Sequence, residues 1–324
     1  MKSDIFNIKN EKKFNDRATE IFRFQYKNNP VYAEYINNLN IKISKIKHYK
    51  QIPFLPIDFF KTHKIISKNK QHKLIFKSSG TTGMQRSKHY VAEPEIYEKS
   101  FNETFDMFYG NPEQYAVLAL LPSYSEQGNS SLIYMVEKLM QKSKNPGNGF
   151  FLYNHDELFA RLKKLEAQKQ KTVLFGVSYA LLDFFHNYKL KLENTIIIET
   201  GGMKGRKKEI IREELHKKLK KASGLPHIHS EYGMTELLSQ AYAQTTDKYK
   251  TPPWMKILIR DAEDPFSYKK NGKTGGINII DLANIYSCSF IETKDLGKIN
   301  PDGSFTISGR FDDSDIRGCN LLII

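Results

Sequence analysis

The segment SSGTTG at 78–83 carries the residue types that most clearly indicate chemistry. Glycine lets backbone N–H groups approach a ligand closely, and small hydroxyl side chains donate without bulk, so such a loop can surround phosphate oxygens. Arg86 and Lys88 follow closely enough to act as charge partners. The loop residues are Ser78, Ser79, Gly80, Thr81, Thr82 and Gly83. An ordinary turn has a similar composition, so this segment alone leaves both interpretations open.

A second segment, YGMTE at 232–236, has side chains suited to a nucleotide site. The ring of Tyr232 can stack on a purine, the hydroxyl of Thr235 can meet a phosphate, and the carboxylate of Glu236 can hold Mg²⁺. Gly233 belongs to the same motif. The alternative is a strand end followed by the start of a helix that Thr235 caps.

Two charged positions further along the chain could complete such a site. Asp295 in TKDLG ends a predicted strand and could accept hydrogen bonds from both hydroxyls of a ribose. Arg310 in SGRFDDSDIRG could reach a phosphate, and the acidic residues after it could form a hinge or a turn. Each of the two segments can also be explained as a surface loop.

The segments that must position these residues alternate between strand and helix patterns. Runs of β-branched and apolar residues predict strands, and apolar residues at helical spacing predict helices. This alternation favours right-handed crossovers and a mostly parallel sheet. The predicted strands cover 115–121, 172–178 and 194–200, and the predicted helices cover 130–140, 157–170, 179–188 and 207–223.

The flanking parts of the chain have a different pattern. Helical spacing over 14–26 and 31–39 predicts two N-terminal helices, and the two prolines of IPFLPIDFFK favour an extended arm after them. In the last quarter of the chain, short strands separated by Gly, Pro, Asn and Asp turns predict a mainly antiparallel β subdomain. We therefore predict two parts, residues 1–241 with the N-terminal helices and an α/β core, and residues 242–324 with the β subdomain.

Composition excludes several classes of protein. Hydrophobic residues make up 40% of the 324 residues and charged residues 27%, which allows a sizeable core. The net charge of +14 favours acidic partners such as nucleotides and phosphates. No apolar run has the length of a membrane span, and the N-terminus lacks an apolar signal core. Two cysteines, Cys288 and Cys319, make neither a disulfide framework nor a CxxC pair, so we expect a cytoplasmic protein.

The order of these motifs resembles that of the adenylate-forming enzymes, which activate carboxylic acids with ATP. Gly201-Gly202, after the third predicted strand, resembles the small-residue loop that this superfamily lays beside the adenine. The chain more closely resembles one branch, the acyl-protein synthetase (LuxE) family of the bacterial fatty-acid reductase complex. That resemblance rests on IPFLPIDFFK, SSGTTG, LFGVSYALLDF, ETGGMK, TPPWMKILIRDAED, FIETKDLG and IRGCNLLI, from about residue 52 to the end.

The resemblance implies an α/β adenylation domain, with a mostly parallel sheet flanked by helices and a smaller C-terminal β subdomain, that lacks the usual C-terminal lid. It implies ATP and Mg²⁺ as cofactors and a carboxylic acid, expected to be a fatty acid, as substrate. The acyl group would pass from AMP to Cys319, whose ionised form neighbouring Arg317 would favour, and then to an acyl reductase or carrier protein. Neither a nucleic-acid partner nor a membrane span is expected.

The resemblance also assigns roles around the nucleotide. The loop 78–83 would cradle the phosphates, and Asp295 would hold the ribose. The adenine would lie between Tyr232, with Gly233 beside it, and the pair Gly201 and Gly202.

The remaining roles concern the phosphates and the metal. Thr235 and Arg310 would contact phosphate, and Glu236 would hold Mg²⁺. Without a lid lysine, Arg310, Arg86 and Lys88 are the candidates for the cation that stabilises the adenylation transition state. YGMTE resembles the broad superfamily more closely than the acyl-protein synthetases do here, which indicates a fuller Mg·ATP site and leaves the acid open.

Three other functions remain alternatives. The same site could acylate coenzyme A. A serine esterase could use Ser178 in GVSYA, although Ala180 replaces the second glycine of GxSxG and the histidine would have to be His227 or His229. A nucleic-acid-binding module would use the net charge and the lysine-rich helix, but its lysines alternate with glutamates and no binding motif is present.

Overall fold

The computed structural model describes residues 5–79, 85–122, 128–201 and 211–311. The predicted site residues outside these ranges are Gly80, Thr81, Thr82, Gly83, Gly202 and Cys319. Their predicted roles therefore stay predictions.

The first two helices begin where the sequence supplies a cap or a proline. Asn10 caps the first helix by accepting a hydrogen bond from the backbone N–H of Lys13 (2.9 Å), and Pro30 begins the second, where the missing N–H is not needed. The sequence analysis did not predict the helix that begins at Pro94. The described helices are α1 (Glu11–Asn28), α2 (Pro30–Asn38), α3 (Phe59–Thr62), α4 (Pro94–Tyr109), α5 (Ser131–Ser143), α6 (His155–Ala167), α7 (Ser178–Asn187) and α8 (Arg212–Ser223).

The strands form two sheets and a separate hairpin. They are β1 (Leu55–Pro56), β2 (Leu74–Lys77), β3 (Lys88–Val91), β4 (Ala116–Leu120), β5 (Gly149–Phe150), β6 (Thr172–Val177), β7 (Thr195–Thr200), β8 (His229–Tyr232), β9 (Ala241–Ala243), β10 (Met255–Arg260), β11 (Gly275–Asp281), β12 (Phe290–Ile299) and β13 (Phe305–Arg310). The hairpin pairs β2 with β3 in antiparallel fashion.

The central sheet has the strand order β5-β4-β6-β7-β8-β9, with parallel pairing everywhere except between β8 and β9. Val173 and Phe175 of β6 share a core with residues of α4 and α5, whereas Leu174 shares a core with residues of α6, α7 and α8. Both faces of the sheet are therefore covered, which explains the nearly continuous apolar strands. The predicted α/β class, with a mostly parallel sheet flanked by helices, is confirmed.

The second sheet is built from β10, β11, β12 and β13 in antiparallel pairs, as predicted for this part of the chain. Strand β1, from the predicted extended arm, adds a parallel pairing to β12, with Leu55 opposite Ile291. The arm also contains the one-turn helix α3, which was not predicted. The division of the chain after residue 241 stays a prediction.

Candidate functional site

Several predicted site residues follow the carboxyl ends of neighbouring parallel strands. The register places Val177 of β6 beside Thr200 of β7, and Thr200 beside Glu231 of β8, so these strands end level with one another. Gly201 follows β7, and the segment 232–236 begins with the last residue of β8. Ligands of open α/β sheets bind outside this edge, because loops and backbone donors meet there.

Three of the predicted residues form a hydrogen-bonded group that we call the polar trio: Tyr232, Asp295 and Arg310. The hydroxyl of Tyr232 donates to Oδ2 of Asp295 (2.7 Å), and Nε of Arg310 lies 3.1 Å from Oδ1 of the same carboxylate. Asp295 lies in the middle of β12, so the prediction that it ends a strand is wrong. It is the strand partner of Arg310 on β13, next to a register shift between the two strands. Residues from the two sheets thus meet at one carboxylate.

The polar trio has a buried end and an exposed end. Tyr232 is 8% exposed, and its ring packs edge-on against Tyr249 and Phe305, whereas the side chain of Arg310 is 60% exposed. Burial, and then the neighbouring Asp295, raises the pKa of Tyr232, so the phenol stays protonated and remains a donor. A carboxylate has about four acceptor sites, so Asp295 retains capacity for further donors such as ribose hydroxyls.

Gly201 has a backbone conformation that favours glycine, with φ of +71°. Its carbonyl oxygen lies 2.6 Å from Oγ of Ser178, the first residue of α7, and the same Oγ lies 2.6 Å from Oε1 of Glu199. His216 is on the far side of Glu199, with Nε2 3.9 Å from Oε2. The carboxylate thus lies between serine and histidine, which is not the order of a hydrolase triad, and His229 instead contacts Tyr109.

Two buried glutamates on neighbouring strands were not singled out from the sequence. Burial raises the pKa of Glu199, but the neighbouring His216, the charge of Arg212 and the hydrogen bond from Ser178 outweigh it, so the pKa lies below its ordinary value. Burial raises the pKa of Glu231 to about 7. The hydrogen bond from Thr200 opposes this rise, and the nearby charge of Glu199 adds to it. The position of Glu231, an acidic residue directly before YGMTE on a buried strand, is the sequence signal that could have identified it.

Gly233 allows this buried carboxyl group to lie against the backbone. A Cβ atom placed on Gly233 would be 2.3 Å from Oε1 of Glu231, a distance that no side chain could occupy. A side chain at this position would therefore force the carboxyl group of Glu231 to move.

The phosphate-loop segment lies at the end of the β2–β3 hairpin. The backbone N–H of Ser78 donates to the carbonyl of Ser87 (3.1 Å), and Oγ of Ser78 accepts from the N–H of Ser87 (3.0 Å). These two bonds close the hairpin just before the loop, of which Ser79 is the last described residue on that side. Arg86 and Lys88 are exposed on the returning strand side. Their predicted role toward phosphate stays a prediction.

Thr235 and Glu236 lie in a turn, and no helix begins there, so the alternative of a helix cap is wrong. The carbonyl of Thr235 lies 2.8 Å from Nδ1 of His89, and that of Glu236 accepts from Nδ2 of Asn284 (2.8 Å). Glu236 is 5% exposed. No cluster of three or more metal-ligating side chains occurs within the described ranges. One carboxylate is nevertheless the donor set that Mg²⁺ commonly uses when substrate phosphates supply its other ligands.

Of the two cysteines, the structure describes Cys288. It is fully buried, its Sγ–H donates to the carbonyl of Phe290 (3.3 Å), and burial raises its pKa to about 12. A thiol in this environment is a poor nucleophile. The longest described helix, α1, has 18 residues, and none of the helices in the described ranges has the apolar length needed to span a bilayer.

Comparison with known proteins finds similarity at the level of structure. No family model and no curated sequence matches the chain. ATP-bound MatB from Rhodopseudomonas palustris superposes with a TM-score of 0.57 and 18% identity, over 73% of this chain and 47% of that one. The alignment thus spans about half of the MatB chain.

A second group of similar structures covers more of the chain. 2-Hydroxyisobutyryl-CoA ligase in complex with 2-HIB-AMP and CoA superposes with a TM-score of 0.68 and 12% identity, over 94% of this chain and 68% of that one. The postadenylation complex of the same ligase gives a TM-score of 0.66. At these identities the similarity establishes the fold. The chain has the fold of these ligases.

Proposed function

We propose that this protein activates a carboxylic acid with ATP, forming an acyl adenylate and releasing pyrophosphate. The observation that carries the proposal is the polar trio, because Tyr232 and Arg310 converge on the carboxylate of Asp295, and the sequence predicts all three for one nucleotide site. Tyr232 of the trio is the last residue of β8 and lies at the edge of the sheet where such folds bind ligands. The similar structures hold ATP or 2-HIB-AMP.

The trio defines a role for each member in nucleotide binding. Tyr232 is buried and its hydroxyl is committed to Asp295, so we assign it to orienting that carboxylate as well as to flanking the adenine beside Gly201 and Gly202. Asp295 would accept hydrogen bonds from the ribose hydroxyls. Arg310, exposed and adjacent, would turn its guanidinium toward phosphate when nucleotide binds.

The phosphate end of the site uses the hairpin and the turn. The loop 78–83 would surround the phosphates with backbone and hydroxyl donors, and Thr235 would contribute another hydroxyl. Glu236 would hold Mg²⁺, which supplies positive charge to the phosphates when it is bound. Together with Arg310, Arg86 and Lys88 would stabilise the negative charge that develops during adenylation.

The second proposed step transfers the acyl group to Cys319. Its thiolate would attack the carbonyl carbon of the acyl adenylate, and AMP would leave with the electron pair of the broken C–O bond. The buried, unreactive environment of Cys288 supports Cys319 as the acceptor of the two cysteines. An acyl reductase or carrier protein would then take the acyl group. Coenzyme A is the alternative acceptor, because a structure of this fold holds CoA.

The proposed substrate is an apolar acid such as a fatty acid. The walls that we predict for an acyl pocket carry no charge, namely Tyr124, Ile133, Tyr134, Phe175, Val177 and Tyr179. Ile133, Tyr134 and Phe175 are buried, and Tyr124 lies outside the described ranges. An acyl chain would gain from contact with such surfaces in proportion to the apolar area that it buries.

Pyrophosphate release tests the first step. The protein is incubated with Mg·ATP and a panel of acids, from acetate to long-chain fatty acids and aryl acids. An acid-dependent signal is expected, strongest for apolar acids. ATP binding without any signal would indicate a missing partner. Failure to bind ATP would contradict the proposed function.

Labelling with a radioactive acid tests the second step. Cys319→Ser should keep acid-dependent pyrophosphate exchange and lose the stable thioester label, whereas Cys288→Ala should keep both. Label that survives in Cys319→Ser would assign the acceptor elsewhere. Transfer to added coenzyme A by both variants would favour the acyl-CoA ligase alternative.

A further inference from the structure

His89 is a buried side chain that connects the hairpin to the turn at 235–236. It lies on β3, has no exposed surface, and packs edge-on against Phe60. Its Nδ1 is 2.8 Å from the carbonyl oxygen of Thr235, more than a hundred residues away along the chain. The strand that leaves the phosphate-loop segment is thus tied to the segment that carries Thr235 and Glu236.

Asn284 completes this connection from the second sheet. Its Oδ1 lies 3.0 Å from Nε2 of His89, and its Nδ2 donates to the carbonyl of Glu236 (2.8 Å). Two side chains therefore hold the carbonyls of two consecutive residues. We call His89 and Asn284 the clamp. A cavity of only about 10 Å³ adjoins the clamp, so little space remains for the two side chains to rearrange.

The clamp is also held from behind by the N-terminal helix α1. Nε2 of Gln25 donates to the carbonyls of Asn284 (2.9 Å) and Ile285 (2.8 Å), and Oε1 of Gln25 accepts from the N–H of Ser289 (3.0 Å). Gln25 is fully buried. A continuous set of buried hydrogen bonds thus runs from α1 through the β11–β12 loop to the turn.

Proton counting shows which contact of the clamp is fixed. Burial lowers the pKa of His89 to about 4, so at neutral pH the ring is neutral and has one N–H. A backbone carbonyl can only accept, so the proton belongs on Nδ1, facing Thr235. With the proton on Nδ1, Nε2 has no hydrogen to donate to Oδ1 of Asn284, so the approach of these two atoms is a contact without a hydrogen bond. The bond to Thr235 is the one that holds the turn.

We propose that His89 is a positioning residue that, with Asn284, fixes the carbonyls of Thr235 and Glu236 against the hairpin β2–β3 and so sets the position of the carboxylate that is proposed to hold Mg²⁺. This inference rests on the proposed function for its consequence in catalysis. The fixing of the turn does not depend on that function. No nucleotide contact is assigned to His89 itself.

Two amide variants, His89→Asn and His89→Gln, distinguish the contact of Nδ1 from the contact of Nε2. The side-chain amide of His89→Asn can place an N–H near the position of Nδ1, whereas His89→Gln places one near Nε2. His89→Ala removes both contacts. His229→Asn is the control, because His229 is a partly buried histidine whose pKa burial also lowers to about 4, but it begins β8 and contacts Tyr109.

The experiment measures amide hydrogen exchange without nucleotide and the kinetics of pyrophosphate release. The reporter amide is Leu237, whose N–H donates to the carbonyl of Met234 within the turn (3.1 Å). His89→Ala should speed its exchange about tenfold. It should also lower kcat about 10- to 100-fold at unchanged KM for the acid. His89→Asn should restore both better than His89→Gln, and His229→Asn should change neither.

The outcomes distinguish this inference from the proposed function. Unchanged exchange at Leu237 in His89→Ala would overturn the clamp, whether or not the protein releases pyrophosphate. Faster exchange with an unchanged kcat would overturn its role in positioning. Faster exchange across the whole protein, or the same changes in His229→Asn, would show a general loss of stability instead. If the unsubstituted protein binds no ATP, the proposed function and the catalytic role of His89 both fail, while exchange still decides the clamp.

Discussion

The polar trio and the clamp contact opposite ends of the segment 232–236 and are built differently. The trio joins side chains to one another and ends at Arg310, whose side chain is 60% exposed. The clamp joins side chains to backbone carbonyls and is fully buried at His89. Water and ligands can compete for the contact of Arg310 at the exposed end of the trio, whereas the hydrogen bonds of the clamp are buried. The trio is thus suited to exchange partners on binding, and the clamp to keep the turn in place.

Asp295→Asn should have the largest effect on the trio. The substitution keeps the size of the side chain and some hydrogen bonds but removes the charge toward which Tyr232 and Arg310 donate. ATP affinity should fall at least about 100-fold, because each hydrogen bond to a charged group contributes about 1.5–3 kcal/mol. Calorimetric titration with Mg·ATP measures the change.

Asp302→Asn is the matched control for charge. Asp302 lies exposed in the turn before β13, where it accepts a hydrogen bond from the hydroxyl of Ser304 (2.6 Å). The Asp302→Asn variant should bind ATP with the affinity of the unsubstituted protein. Equal affinities for both variants would remove Asp295 from the nucleotide site.

Glu231→Gln should change stability in a pH-dependent way, because this carboxyl group is buried in β8 directly before Tyr232. In the folded protein, burial raises the pKa of Glu231 from the ordinary 4.5 to about 7. Ionisation therefore costs stability progressively from pH 4.5 to 7. Above pH 7 the variant should be more stable by on the order of 3 kcal/mol, and near pH 4 the difference should vanish.

Glu199→Gln, on the neighbouring strand β7, should change the free energy of unfolding in the opposite direction. The lowered pKa of Glu199 means that its ionised form stabilises the folded state above the ordinary pKa and that this contribution is lost as pH falls. The variant should therefore be less stable at pH 8. Urea titrations between pH 4 and pH 8 measure both variants. If the free energy of unfolding had the same pH dependence in Glu231→Gln and in the unsubstituted protein, the raised pKa of Glu231 would be contradicted.

The contrast between trio and clamp also explains what the sequence could predict. Asp295 and Arg310 are visible because their segments follow the motif order of the adenylate-forming enzymes, and the alternating strand and helix patterns predict the parallel sheet. His89 and Asn284 have no such signal, because their roles depend on pairing between distant segments. Helix α4 was missed since its sequence mixes polar and aromatic residues. Glu231 was missed because its pKa depends on burial.

Tyr232→Phe should have an intermediate effect and separates two roles of the ring. Loss of the hydroxyl leaves Oδ2 of Asp295 without its buried donor while the aromatic surface remains. If Tyr232 orients the carboxylate, ATP affinity should fall about tenfold, the equivalent of one hydrogen bond of about 1.4 kcal/mol. If stacking on the adenine were its sole contribution, phenylalanine would bind ATP equally well. Titrations of both proteins at one salt concentration decide between these outcomes.

Arg310→Gln should have the smallest effect on stability and gives the most direct contrast with the clamp. An exposed ion pair contributes about 0–1 kcal/mol, so the free energy of unfolding should change by less than about 0.5 kcal/mol. Asn284→Ala leaves the buried carbonyl of Glu236 without its donor and should cost about 1–3 kcal/mol. Urea titrations of both variants measure these values. Equal losses would mean that the trio is as much a structural element as the clamp, and that Arg310 is not free to exchange Asp295 for a phosphate.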